Sequence, residues 1–305
     1  MTLRTLQAGV AVSIALDRVC FFCYNGAVAH CVVEAAEDIL DRRFSVLDKG
    51  FVRLIDYLGG DARIVQAARV SYGAGTRTAR DDAALIDFLL RNKHTSPFEQ
   101  VVLTFHVRAP IFVARQWMRH RTARISEVSG RYSLLSHDCY VPQETSVAVQ
   151  STRNKQGRAS EGISPEQQQE VRAAFEAQQK AACAAYDALI QKNIARELAR
   201  INVPLSLYTE WYWQIDLHNL FHFLRLRASA HAQAEIRAYA EVIIEITRAV
   251  APCATASFEN HEKDGVQFSG REFAALKALL AGEGLSLEGK ERARFEEKLR
   301  SGLQQ

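Results

Sequence analysis

No apolar run in the 305 residues approaches the roughly 18 that a membrane-spanning helix needs. The longest stretch, Ala8 to Leu16, is interrupted by Ser13 and followed by no Ala-x-Ala cleavage pattern, so a cytoplasmic protein is expected. Cysteine is scarce as well. Six residues (Cys20, Cys23, Cys31, Cys139, Cys183 and Cys253) scattered over a chain this long read as reduced thiols, not as a disulfide framework. Nor does one sign of charge dominate: Lys+Arg number 38 against Asp+Glu 35, and a net +3 exerts no global pull toward nucleic acid. The phosphate loop Gly-x-x-x-x-Gly-Lys-Ser/Thr is absent. Gly73-x-Gly75 lacks the third glycine and the preceding buried strand of a dinucleotide fingerprint. Any phosphate-bearing ligand must then be held by side chains and helix ends. No repeat of fixed period occurs.

What is present is ordinary in bulk. Hydrophobic residues at 48% and charged residues at 24% describe a folded globular chain and exclude a disordered one. Cys20-x-x-Cys23 with His30 and Cys31 could supply four zinc ligands on paper. A single Cys-x-x-Cys in an apolar segment is more economically incidental, and no metal centre is expected. Phe51, Leu54, Ile55 and Leu58 recur at helical spacing before Gly59-Gly60, which predicts a helix there. Residues 64–70 and 83–90 also read as helices. Val101 to Val107 alternates and predicts a half-buried strand, with Pro110 opening a helix to His120. Residues 143–168 are polar and read as an exposed, mobile insertion. Pro165 opens a long amphipathic helix through Leu198, and further helices are expected at 217–226 and 232–250. A charged helical tail ends the chain.

The informative segment is 108–131. It holds six arginines, at 108, 115, 119, 121, 124 and 131, against the single carboxylate of Glu127. Helix-dipole complementation explains one or two cations, not six. The guanidinium fork matches phosphate oxygens, so a phosphorylated ligand is the natural occupant. An RNA-binding patch is the rival, but no RNA-binding signature or interleaved run of aromatics accompanies it.

Arg119-His-Arg-Thr-Ala-Arg-Ile-Ser-Glu-Val-Ser129 resembles the Arg-His-Arg-x7-Ser signature of flavin-dependent thymidylate synthases. Flanking segments agree in order: His94-Thr-Ser-Pro-Phe-Glu99, Ala109 to Trp117, Gly130-Arg-Tyr-Ser133, Arg196-Glu-Leu-Ala-Arg200, Leu205-Ser-Leu-Tyr-Thr209 and Leu224-Arg-Leu-Arg-Ala-Ser-Ala-His-Ala-Gln233. The resemblance spans roughly residues 46–259. It implies an α+β fold with a central antiparallel sheet flanked by helices. It implies reductive methylation of dUMP to dTMP, with methylenetetrahydrofolate as carbon donor, NADPH as reductant and FAD as hydride carrier. It also implies a homotetramer with active sites between subunits, needing neither membrane nor nucleic acid. The domains expected are an extension of unknown role at 1–43, a catalytic unit at 44–259 with its polar insertion at about 143–165, and the tail at 260–305. The alternative is a non-catalytic nucleotide- or RNA-binding protein using the arginine-rich segment.

Carried over by motif position, the dUMP contacts are Gln116, Arg119, Glu127, Val128, Ser129, Gly130, Arg131, Arg200 and Arg227, with Arg227 the catalytic residue. The FAD contacts are Ser71, His94, Ser96, Arg119, His120, Arg121, Glu127, Asp216, His218 and His222. Ser129 has no adjacent base and reads as a ligand of substrate, not a nucleophile. Cys139 reads as structural. Arg225, two residues before Arg227, is expected on another helix face as an ordinary surface arginine. Many relatives have Ser at Arg124, Asn at Ser126, and Asn at Asp216 and His222.

Overall fold

The structure is a computed structural model that describes residues 31–70, 82–152 and 156–303. Its centre is a five-stranded antiparallel sheet in the order β1-β2-β3-β7-β4. The strands are β1 (Arg43–Val46), β2 (Gly50–Leu58), β3 (Val102–Pro110), β4 (Arg124–Glu127) and β7 (Tyr208–Asp216), while β5 (Ala148–Gln150) and β6 (Arg158–Gly162) form a separate hairpin. The helices are α1 (Glu34–Glu37), α2 (Asp61–Val70), α3 (Asp82–Arg91), α4 (Ile111–Trp117), α5 (Pro165–Gln191), α6 (Arg196–Ala199), α7 (Leu217–Arg227), α8 (Ala234–Val250), α9 (Pro252–Phe258), α10 (Gly270–Leu280) and α11 (Gly289–Leu303). This is the α+β arrangement expected. Among the described residues no helix is long and apolar enough to cross a membrane.

The expected helix at 51–58 is strand β2. Its pairing with β3 slips between Leu54 and Asp56, so one extra residue is inserted there. Val52 and Leu54 face the core on the strand period of two, and the bulge then brings Tyr57 to the same face. A strand with one bulge thus imitates helical spacing. Gly59, at φ +77°, turns the chain out of β2 in a conformation that favours glycine. Residues 64–70, 83–90, 101–107, 217–226 and 232–250 adopt the states expected. The helix opened by Pro165 stops at Gln191, where Asn193 takes a left-handed φ of 58°, and α6 is a separate turn.

One sheet face carries Leu103, Phe105, Val107, Trp211, Trp213 and Ile215, all buried beneath α4, α7 and α8. Trp117 of α4 sits at the middle of this layer. Its ring lies 5.2 Å from Trp211, 5.1 Å from Trp213 and 4.8 Å from Phe223. The opposite face is polar. Arg53 meets His106 Nδ1 at 3.0 Å, His106 Nε2 meets Glu210 at 3.0 Å, and Arg108 pairs with Glu210 and Asp138. Asp61 joins distant elements: its carboxylate accepts from the backbone of Cys253 (2.7 Å) and Ala254 (3.0 Å) at the start of α9. In the polar segment, Arg158 on β6 ion-pairs with the buried Glu235 of α8. Helices α10 and α11 share a small core of their own around Ala275, Leu287 and Phe295.

Candidate active site

β3 passes into α4 at Pro110, and the free N–H groups of Ile111 and Phe112 donate to the carbonyls of Leu207 (2.9 Å) and Leu205 (3.0 Å). Trp117 then locks the helix to the core, which fixes its neighbours Gln116 and His120. Arg227, at the end of α7, reaches this helix end. Its Nε donates to His120 Nε2 at 3.1 Å and its Nη2 to the Gln116 carbonyl at 3.1 Å. An imidazole nitrogen that accepts from a guanidinium must be unprotonated. Burial, reinforced by the charges of Arg227 and His222, pushes the His120 pKa down to about 4, so the ring is neutral. Burial also lowers the Arg227 pKa from its ordinary value. Gln116 is held from its other end by Gln233 at 2.5 Å.

Beside this clamp lies a cavity of about 180 Å³ lined by Lys93, His94, Thr95, His218, His222, Arg225 and Glu262 over an apolar floor. His94 is placed by its backbone bond to Leu89 and by Phe88, whose ring it meets edge-on at 5.8 Å. His222 lies 5.7 Å from the His120 ring and so links cavity and clamp. Asp216 caps α7, accepting from the backbone of Asn219 at 2.9 Å. Ser96 is exposed on the loop after His94, and Ser71 lies outside the described residues. The reading of Arg225 as an ordinary surface residue is corrected: it is half-buried, its Nε is enclosed with no partner among the described residues, and it lines this cavity. The signal for it was in the sequence, since His218, His222 and Arg225 stand at i, i+4, i+7.

The second group of expected residues forms around β4. Glu127 accepts from the Thr209 hydroxyl at 2.7 Å, and Val128 donates its N–H to the Glu210 carbonyl at 2.9 Å. Ser129 Oγ accepts from the Arg131 backbone at 3.3 Å, which turns the chain. Gly130 is buried where the Arg200 side chain passes: an added Cβ would stand 2.9 Å from Leu135 and 3.3 Å from Arg200. Arg131 pairs with Glu197 at 3.3 Å, a partner that motif position did not single out. Among the described residues no hydrogen bond or ion pair joins this group to the Gln116–His120–Arg227 clamp.

The six arginines do not act as one cluster. Arg108 belongs to the polar sheet face, and Arg131 has Glu197. Arg115, Arg119, Arg121 and Arg124 are exposed, with no carboxylate within ion-pair reach among the described residues. Cys139 is buried with its pKa pushed up to about 11, by burial first and then by Cys183, an environment that disfavours a thiolate and agrees with a structural role. The zinc reading falls on Cys20, Cys23 and His30, outside the described residues.

Unpaired arginines and a histidine-lined cavity on one α+β scaffold have the chemistry that suits phosphorylated ligands. Residues 53–253 match the family described as thymidylate synthase complementing protein, and residues 266–305 match the thymidylate synthase ThyX C-terminal domain. The chain belongs to the flavin-dependent thymidylate synthase family. It is 65% identical over 265 residues to the flavin-dependent thymidylate synthase of Treponema denticola, covering 87% of this chain and 100% of that one. To the enzyme of that name from Thermus thermophilus it is 56% identical over 238 residues, 78% of this chain and 86% of the relative. The fold is similar to a UMP/dUMP methylase PolB from Streptomyces cacaoi, solved with 5-Br UMP. The TM-score is 0.65 at 33% identity, over 72% of this chain and 97% of that one.

Proposed function

We propose that the two residue groups are halves of one active site, completed when chains assemble, and that Arg227 activates the pyrimidine. The reaction is the reductive methylation of dUMP to dTMP, with methylenetetrahydrofolate supplying the carbon and NADPH the reducing equivalents. FAD, when bound, supplies the hydride-carrying chemistry. The residues present fit the phosphoryl portion of such a dinucleotide: a histidine-lined cavity, an enclosed Arg225 Nε without a described partner, and exposed arginines with no described acid in reach. In this reading His94, Ser96, His120, Arg121, Asp216, His218 and His222, with Ser71, hold FAD. Arg119 and Glu127 serve both ligands. Gln116, Val128, Ser129, Gly130, Arg131, Arg200 and Arg227 hold dUMP.

The hold on Arg227 carries the reading. Among the described residues no cysteine belongs to either residue group or lines the cavity, and in this reading C5 becomes nucleophilic by charge developing on N3 and the C4 oxygen. A guanidinium fixed in a half-buried site stabilises such charge without reorganising. His120 and Gln116 occupy two of its donors and leave the rest for that edge. A homotetramer is supported by the lack of any hydrogen bond or ion pair between the two residue groups among the described residues, and by the polar sheet face, where Tyr212 is 47% exposed. The cysteine pattern supports a cytoplasmic setting.

Purified protein should show flavin absorbance, form dTMP from dUMP, and scatter light as about four chains per particle. A colourless protein that binds nucleotide without turnover would instead support the binding-protein alternative.

A further inference from the structure

Motif position leaves Arg225 unassigned, and unlike Arg53 and Arg172, whose Nε atoms are also enclosed without a partner, it has no ion pair with a described carboxylate. It follows His218 and His222 on the same face of α7. Among the described residues its Nε is enclosed without a hydrogen-bond partner, and its Nη2 meets only His222 Nδ1, at 3.4 Å, near the outer limit of a hydrogen bond. No described carboxylate pairs with it. The single acid of the cavity, Glu262, is taken by Lys93, and that pair leaves Arg225 as the uncompensated charge. His94, His218 and His222 add ring nitrogens that can donate. Enclosed donors in native proteins are paired nearly always, so this donor, facing a cavity, is suited to an acceptor from a ligand. A planar fork flanked by imidazoles suits the oxygens of a phosphoryl group, and the floor of Leu89, Leu90, Phe98 and Phe221 suits no second charge.

We propose that Arg225 binds the pyrophosphate of FAD, with His222 bridging that subsite to the His120–Arg227 clamp. This inference rests on the flavin being held at this cavity. Its partner is a phosphoryl oxygen and not the flavin ring, because the pyrophosphate is negatively charged in every redox state whereas the oxidised ring is neutral. Arg225 and Arg227 thereby divide the work of one helix end: one anchors cofactor, the other faces substrate.

The test titrates full-length protein, freed of flavin by dialysis, with FAD, FMN and riboflavin, following flavin fluorescence. Arg225→Met keeps the aliphatic stem and removes the charge. It should weaken FAD about 10- to 100-fold, the range of a charge-assisted hydrogen bond, and leave riboflavin within twofold of wild type. Arg225→Lys should recover part of the loss, since it restores the charge without the fork. Added salt should weaken FAD less in the Met variant than in wild type. Equal loss for FAD and riboflavin would mean a packing role and overturn the proposal, as would an unchanged FAD affinity. Arg121→Ala serves as the companion variant. Loss of FAD affinity in Arg121→Ala but not in Arg225→Met would refute this inference alone. No loss in either would refute the placement of FAD itself.

Discussion

Arg227→Ala isolates the activation step. An arginine side chain has five N–H donors, and here two are spent on His120 and the Gln116 carbonyl, each at 3.1 Å. The remaining donors face no protein acceptor among the described residues, so they are available where pyrimidine charge develops. Removing one preorganised donor of this kind costs about 2.7–4 kcal/mol in the transition state, or on the order of 10²–10³ in turnover. Two acceptors lose their partner as well, which should lower stability by about 1–3 kcal/mol without unfolding the chain. The assay measures two half-reactions. Flavin bleaching by NADPH should survive in the variant, and dTMP formation should fall. Arg227→Lys should regain less than about tenfold, because a point charge cannot keep both the clamp and the ligand. If bleaching declined in step with dTMP formation, or turnover stayed within tenfold of wild type, the activation argument would be wrong.

Three further outcomes follow from the same geometry. His120 has a folded pKa of about 4 against an ordinary 6.5, so the unfolded chain binds its proton first. The stability cost of this residue should therefore grow as pH falls from about 6.5 to about 4, and His120→Gln should flatten the melting-temperature profile across that window. Identical slopes for both proteins would contradict it. Asp61→Ala removes the two acceptors at the start of α9 and should cost about 1–3 kcal/mol by chemical denaturation, with kcat preserved. Gly130→Ala sets a methyl against Arg200 and should raise the KM for dUMP several-fold while FAD affinity stays unchanged. An unaltered KM would show that Arg200 can yield.

Strands and helices were legible where one period ran unbroken, as in β3 and α8. β2 was misread because its bulge turned a spacing of two into three between Leu54 and Tyr57. β7 was missed for a different reason. Trp211, Trp213 and Ile215 alternate inward, but the outward Tyr212 is aromatic too, so the contrast between faces vanished. At the site, motif position named Arg227 and His120 separately, but their contact spans 107 residues and no spacing encodes it. Arg225 was misjudged because i+2 spacing shows only that it differs in direction from Arg227. Which direction meets solvent depends on how α7 seats against the loop carrying His94.

Trp117 ties chemistry to stability in a way that constrains how this chain can vary. Gln116 just before it and His120 three residues after it hold the arginine proposed to activate substrate, and Trp117 itself is wedged among Trp211, Trp213, Phe223 and Tyr239. A well-packed interior cannot yield smoothly, so a smaller side chain in this aromatic group tilts α4 before it melts the fold. Catalytic output should then decline ahead of thermal resistance. Interior substitutions far from any ligand would behave like active-site lesions, and laboratory evolution toward tolerance of heat would find this layer nearly closed to change.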